Sequence, residues 1–344
     1  MKVCVIGGGG AIGGYLAVML ARAGNDVTVV ARGATLTAIK ERGLTLIQDD
    51  QSEPIVAQVK AVEKISDVVD TPDVVILAVK AHQVDPIIHD LAAMMGPETV
   101  LIPMQNGIPW WYFQKLAGKF QDHSVETVDA GGVAKKAINP DNIVGCVVYP
   151  ATFTQSPGVI RLVEGNRFPL GELDGKMTGR IEKLSEMMTA AGFKSPILED
   201  IRSEIWLKLW GNMTFNPISA LTHGTLEGIC QFPLTRELAR NMMTEAQTIA
   251  GKLGVTFRVD IERRIAGAEK VGKHKTSMLQ DLEAGRSLEV DALLGSVIEL
   301  GVITETPTPC LSTVFALTKY LDENIQATGG SLALPPVGDC YALN

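Results

Sequence analysis

Three residues in the second half of the chain have types and a spacing suited to holding a small, oxygen-rich ligand. Lys208, Asn212 and Asn216 stand at i, i+4 and i+8 within Ile205-Trp206-Leu207-Lys208-Leu209-Trp210-Gly211-Asn212-Met213-Thr214-Phe215-Asn216-Pro217. On an α-helix this spacing draws one ammonium and two carboxamides into a single line among Trp, Leu, Met and Phe. A solvated stripe usually carries mixed charge and more polar positions. A lysine with two neutral amides is a better match to a partly buried site for a small, oxygen-rich ligand, the bland alternative being an ordinary amphipathic helix. Ser277 and Glu289 follow in polar segments beside apolar helical ones. Ser277 also suits a helix cap and Glu289 a helix dipole, so spacing alone leaves both open.

A second constellation lies at the N-terminus. Gly7-Gly8-Gly9-Gly10-Ala11-Ile12-Gly13 follows the apolar run Lys2-Val3-Cys4-Val5-Ile6 and opens a helical pattern. In a strand–turn–helix of this kind the first glycine permits the tight turn and the second lets backbone approach a pyrophosphate. The third lets the helix pack against the strand, with its first N–H groups facing the anion. Gly8-x-Gly10-x-x-Gly13 has that spacing, whereas the register from Gly7-x-Gly9 would put Ile12 in the third place. The expected cradle is therefore Gly8, Gly9, Gly10, Ala11, Ile12 and Gly13, against the plain alternative of a flexible glycine loop.

The end of the next strand bears on the choice of cofactor. It reads Ala31-Arg32-Gly33, with no acid before Glu41. A guanidinium suits a 2′-phosphate and gains little from a bare ribose hydroxyl, so the reading is NADP(H) rather than NAD. The alternative is that Arg32 is merely solvated. Lys80 and Asn106 end two further apolar runs, where ligands bind in parallel sheets. Asn106 suits the nicotinamide ribose or the substrate, and Asn-Gly is also a common turn pair.

These residues need elements to hold them. Residues 2–6, 27–31, 73–79 and 100–104 read as buried parallel strands, and 13–23 and 84–95 as helices. Residues 142–148 and 159–163 read as two more strands that close the domain. The alternation predicts an α/β, Rossmann-type doubly wound parallel sheet. Beyond about residue 200, helical patterns cover 201–215, 234–253, 259–269, 288–300 and 312–325. The expected organisation is a dinucleotide-binding domain over 1–198, an all-α C-terminal domain over 199–327 and an irregular tail over 328–344.

Composition narrows the class. The chain of 344 residues is 46% apolar and 20% charged, with a net charge of −8 from 31 basic and 39 acidic residues. That balance argues against nucleic acid or an anionic membrane as the main partner. No apolar run is long enough to span a bilayer, and no signal-peptide pattern opens the chain, so a cytoplasmic location is expected. Cys4, Cys146, Cys230, Cys310 and Cys340 form no CxxC pair, which suits reduced thiols and no metal site.

Taken together, VIGGGGAIGGYLA, VTVVAR, LAVKAHQ, QNG, KLWGNMTFNP and SMLQDLEAGRSLEVDAL resemble the ketopantoate reductase family, in the family's order over about residues 1–325. The resemblance implies NADPH-dependent reduction of a 2-keto acid, ketopantoate, to a D-2-hydroxy acid on the way to pantothenate. It implies Lys208 as general acid and Asn212, Asn216 and Ser277 as substrate-binding. It also places Arg32 and Lys80 around the adenosine phosphate, Asn106 near the nicotinamide, Ala151 against the cofactor and Glu289 on a cofactor ribose. A homodimer is implied by analogy only.

Several departures surround the acyl side of the substrate. The glycine turn is one residue longer than the usual form, and the region around 125–141 is also longer than usual. His274 replaces a frequent asparagine, Trp110 and Trp111 follow QNG, and no asparagine follows the NP motif. A reductase of another bulky 2-keto acid and a non-catalytic NADP-binding sensor are the alternative readings.

Overall fold

The computed structural model describes residues 1–49 and 53–333. The chain forms two compact units, Met1–Ile205 and the residues from Trp206 onward. The first unit opens with β1 (Lys2–Ile6), α1 (Ala11–Arg22), β2 (Asp26–Val30), α2 (Gly33–Arg42), β3 (Leu44–Gln48), β4 (Ile55–Ala57) and β5 (Lys60–Val62). It continues with β6 (Val74–Leu77), α3 (Ile88–Met94), β7 (Val100–Pro103), α4 (Val133–Ala137) and β8 (Val144–Cys146). It then runs through β9 (Ala151–Ser156), β10 (Val159–Glu164), β11 (Leu170–Glu172) and α5 (Gly179–Ala190).

Five strands make a parallel sheet in the order β5-β2-β1-β6-β7, the Rossmann arrangement. The apolar runs are continuous because both faces are buried. Val3, Val5, Val27, Val29, Val74 and Ile76 point into one core, with Leu16 and Leu20 of α1 and Leu184 of α5. Cys4, Ile6, Val30, Val75 and Leu77 point into the other, with Ile88 and Leu91 of α3.

Three expectations need correction here. The strands predicted over 142–148 and 159–163 do not close this sheet. β10 lies in a separate four-stranded sheet of order β4-β3-β10-β9, and β8 pairs antiparallel with β11. A bridge between Leu101 and Ile143 ties the second pair to β7. The helix predicted over 84–95 shrinks to α3, preceded by single 3-10 turns at Ala81–Gln83 and Asp85–Ile87. Pro86 lacks an amide donor and sits in the opening turn, which sets back the helix start.

The remaining helices are α6 (Ile201–Thr222), α7 (Leu226–Gln231), α8 (Pro233–Lys252), α9 (Ile261–Glu269) and α10 (Ser277–Glu283), followed by α11 (Ser296–Ile303) and α12 (Pro309–Thr328). A π-helical turn, Asp291–Gly295, leads into α11. The division between units falls inside α6, whereas the change of texture in the sequence lies at 198/199. α12 reaches Thr328, with Gly329 in the left-handed conformation closing it at φ 60°. Most of the predicted tail, residues 334–344, lies outside the described residues.

Candidate active site

The glycine turn is built by steric necessity. Gly7 takes φ +81°, which L side chains rarely adopt, and its carbonyl accepts from the Gly10 N–H at 2.9 Å. A Cβ on Gly8 would sit 2.6 Å from Val29 Cβ, and one on Gly9 would sit 2.7 Å from Thr35 Cγ2. A Cβ on Gly13 would run into the Gly7 carbonyl, so the helix packs against the strand end only because both residues are glycine. Gly10 is exposed and caps α1 without a side-chain hydrogen bond, and the first turn of α1 carries no acid. Ala11 and Ile12, half-buried, complete that first turn.

The structure therefore shifts the register expected from sequence. The tight turn is made at Gly7, which the Gly8-x-Gly10-x-x-Gly13 reading left out. A cradle that any Cβ would fill, at the uncapped start of a twelve-residue helix, fits a dinucleotide pyrophosphate.

Arg32 follows β2 as the N-cap residue of α2, exposed, with no acid in the first turn of that helix. A guanidinium beside a helix N-terminus concentrates positive potential where a phosphate would be favoured. Lys80 lies three residues past the end of β6, half-buried, and its amide donates to Gln83 Oε1 at 3.0 Å. Asn106 lies past β7, half-buried, before Gly107 at φ 93°. Ala151 begins β9 of the second sheet.

Two residues that set this edge were not singled out in the sequence. Gln105 donates both amide hydrogens to the end of β6, reaching Leu77 O at 2.8 Å and Val79 O at 2.9 Å. It pins the Asn106 loop to the strand that leads to Lys80. Buried Arg202 then holds the following segment through Tyr112 O, Gln114 O and Leu173 O, at 2.7, 2.7 and 2.6 Å. Burial lowers its pKa from the ordinary arginine range, and three carbonyls compensate the charge. Trp110 and Trp111 are 3% and 1% exposed within the same core. Both are buried side chains of that core.

In the second unit α6 carries the Lys208, Asn212 and Asn216 line as one helix. Lys208 and Asn212 are half-buried and Asn216 is buried. The Asn216 amide donates to Ser277 Oγ at 3.4 Å, so residues 61 apart in sequence meet. Ser277 is not the cap of α10. Thr276 takes that place, its hydroxyl accepting from Leu279 N–H at 3.3 Å, which leaves the exposed Ser277 hydroxyl for other work. Glu289 is half-buried just before the π turn. Its segment is held by Asp322 of α12, which accepts from the Leu288 amide at 3.0 Å and the Ser287 hydroxyl at 3.4 Å.

No group of three His, Cys, Asp or Glu is placed to hold a metal ion among the described residues. Burial pushes the Cys4 thiol up to about 12 and the Cys230 thiol up to about 11, so neither offers a thiolate near neutral pH. No helix among the described residues is long and apolar enough to cross a membrane.

A glycine cradle on a parallel sheet, joined in one chain to a helical unit with a lysine–asparagine line, is the plan of a nicotinamide-dependent oxidoreductase. The model of the family "Ketopantoate reductase PanE/ApbA" matches residues 3–175, and that of its C-terminal domain matches residues 200–322. A 2-dehydropantoate 2-reductase of Mesorhizobium japonicum is 49% identical over 322 residues, covering 93% of this chain and 98% of the relative. A crystal structure from Ralstonia solanacearum, assigned as a ketopantoate reductase, superposes with a TM-score of 0.88 at 37% identity, covering 94% of this chain and 98% of that one. The 2-dehydropantoate 2-reductase of Methylococcus capsulatus gives 0.78 at 27% identity, with 94% and 98% covered. The chain belongs to the ketopantoate reductase family.

Proposed function

We propose that this chain is an NADPH-dependent reductase of 2-dehydropantoate, yielding D-pantoate in the cytoplasm. The observation that carries the reading is the α6 line. One ammonium and two carboxamides share a line on α6, and the Ser277 hydroxyl meets Asn216 at 3.4 Å. The glycine cradle and Arg32 would hold the cofactor, with Lys80, Asn106, Ala151 and Glu289 as further contacts. Held there, NADPH would be the source of hydride for C2 of the keto acid. Lys208 donates a hydrogen bond to the 2-keto oxygen, stabilises the negative charge that builds there and gives up its proton to that oxygen. Asn212, Asn216 and Ser277 donate to the remaining substrate oxygens and fix its orientation.

The test is the steady-state rate of NADPH oxidation with 2-dehydropantoate, compared between the native chain and Lys208→Ala. The variant is expected to lose about 10²-fold or more in kcat, the scale of general acid catalysis. A near-normal kcat removes Lys208 from the mechanism. A panel of bulky 2-keto acids, run in parallel, decides whether 2-dehydropantoate is the preferred acyl group.

A further inference from the structure

Glu289 stands in a stretch that neither a ladder nor a helix supports. Residues 286–289 belong to no regular element, so their backbone groups need partners from elsewhere. Leu288 and Val290 are buried, and Ser287, Glu289 and Asp291 alternate with them half-buried. α12 meets this stretch on both sides of Glu289. Upstream, Asp322 Oδ1 accepts from the Leu288 amide at 3.0 Å and from Gln326 Nε2 at 3.5 Å, and Asp322 Oδ2 accepts from the Ser287 hydroxyl at 3.4 Å. Downstream, Lys319 Nζ donates to Asp291 Oδ2 at 2.7 Å. The helix is itself anchored at its start, where Glu245 of α8 accepts from the Cys310 and Leu311 amides at 2.8 and 3.0 Å.

Two features of this arrangement are unfavourable in themselves. Asp322 is 7% exposed, and a carboxylate taken out of water against neutral donors is poorly compensated. The chain then enters the π turn Asp291–Gly295, a rare form that concentrates at functional positions. An apolar residue at 322 and a plain helical turn would serve packing better. A charged acceptor makes the stronger hydrogen bond to an amide, which suits the fixing of a backbone. Glu289 lies between the two features. The Lys319–Asp291 side chains are 35% and 48% exposed, so that pair contributes less than the buried contact. We propose that Asp322 is a positioning residue for the cofactor, holding Ser287 and Leu288 so that the Glu289 carboxylate keeps its ribose contact, with Lys319 in a lesser supporting role. This rests on the placement of Glu289 on the cofactor proposed above.

The experiment is a double-mutant cycle on the full chain, reading the dissociation constant for NADPH by fluorescence titration. Asp322→Ala leaves the Leu288 amide without its acceptor and is expected to weaken binding by about ten-fold, the scale of a hydrogen bond to a charged group. Asp322→Asn keeps an oxygen for that amide and is expected to stay within about two-fold of the native chain. In a Glu289→Ala background, Asp322→Ala is expected to add almost nothing, because its effect passes through Glu289. Lys319→Met, at a half-exposed pair that the fold tolerates, should weaken binding by about two-fold in the native background and leave the Glu289→Ala chain unchanged. This second cycle decides the matter if Asp322→Ala does not fold. Losses that multiply in the Glu289→Ala background, or native affinity in both Asp322→Ala and Lys319→Met, overturn the positioning role. Native affinity in Glu289→Ala alone is a different result, and it overturns the placement of Glu289 on the cofactor.

Discussion

The two units prepare their ligand-facing groups by opposite means. In the first, the critical atoms are backbone. Gly8, Gly9 and Gly13 are defined by what they lack, since a Cβ at each would meet Val29, Thr35 or the Gly7 carbonyl. In the second, the critical atoms are side chains, and two of them, Ser277 and Glu289, stand beside residues that make the structural bonds. Thr276 caps α10 so that Ser277 is free to meet Asn216, and Asp322 anchors the segment before Glu289. A site made of backbone fails by gaining atoms, and a site made of side chains fails by losing them.

That contrast can be broken or sharpened by substitution. The largest effect is expected in the second unit, where Lys208→Ala should lower kcat by about 10²-fold or more while the dissociation constant for NADPH, read by fluorescence titration, hardly moves. Loss of cofactor binding in that variant would blur the division of labour. Gly13→Ala is expected to do the reverse, costing about 1–3 kcal/mol in chemical denaturation and weakening NADPH binding. A stable variant with full cofactor affinity would show that the close packing of α1 is dispensable. Arg32→Ala should raise the KM for NADPH by roughly ten-fold and leave that for NADH little changed, because only NADPH carries the 2′-phosphate. Equal effects on both cofactors would refute that role. Thr276→Ala removes the cap and should cost about 1 kcal/mol, raising KM a few-fold by loosening Ser277, with kcat nearly intact.

The smallest effect concerns pH and is absent near neutrality. Burial raises the Cys4 thiol from an ordinary value of 9.0 to about 12. The unfolded chain then loses its thiol proton first as pH rises. Stability from this group is complete below pH 9.0 and is lost between about pH 9 and pH 12. Cys4→Ala should flatten that part of a denaturation profile, and an unchanged alkaline slope would exclude Cys4 as its source.

Much of this was legible in the sequence, for physical reasons that differ by region. The strands β1, β2, β6 and β7 are visible as apolar runs because both faces are buried. β9 was not, since Phe153, Thr154, Gln155 and Ser156 are exposed and show no such run. α2 and α5 escaped notice because their patterns are short and mixed. The line on α6 followed from helical spacing alone. The contact of Asn216 with Ser277 did not, because residues so far apart meet only through packing. The turn glycine was hard to place for a related reason: four consecutive glycines look alike until φ and neighbours separate them, and only Gly7 among them has positive φ. Gln105 and Arg202 act through backbone atoms of distant segments, which no local pattern encodes.

The most direct test of the account is the oxidation of NADPH by the purified chain with 2-dehydropantoate as the only keto acid. The expected result is one NADPH consumed per substrate, with D-pantoate as the product. NADPH that binds but is not oxidised, with 2-dehydropantoate or with any other 2-keto acid, would contradict the reductase reading and leave a cofactor-binding protein without this chemistry.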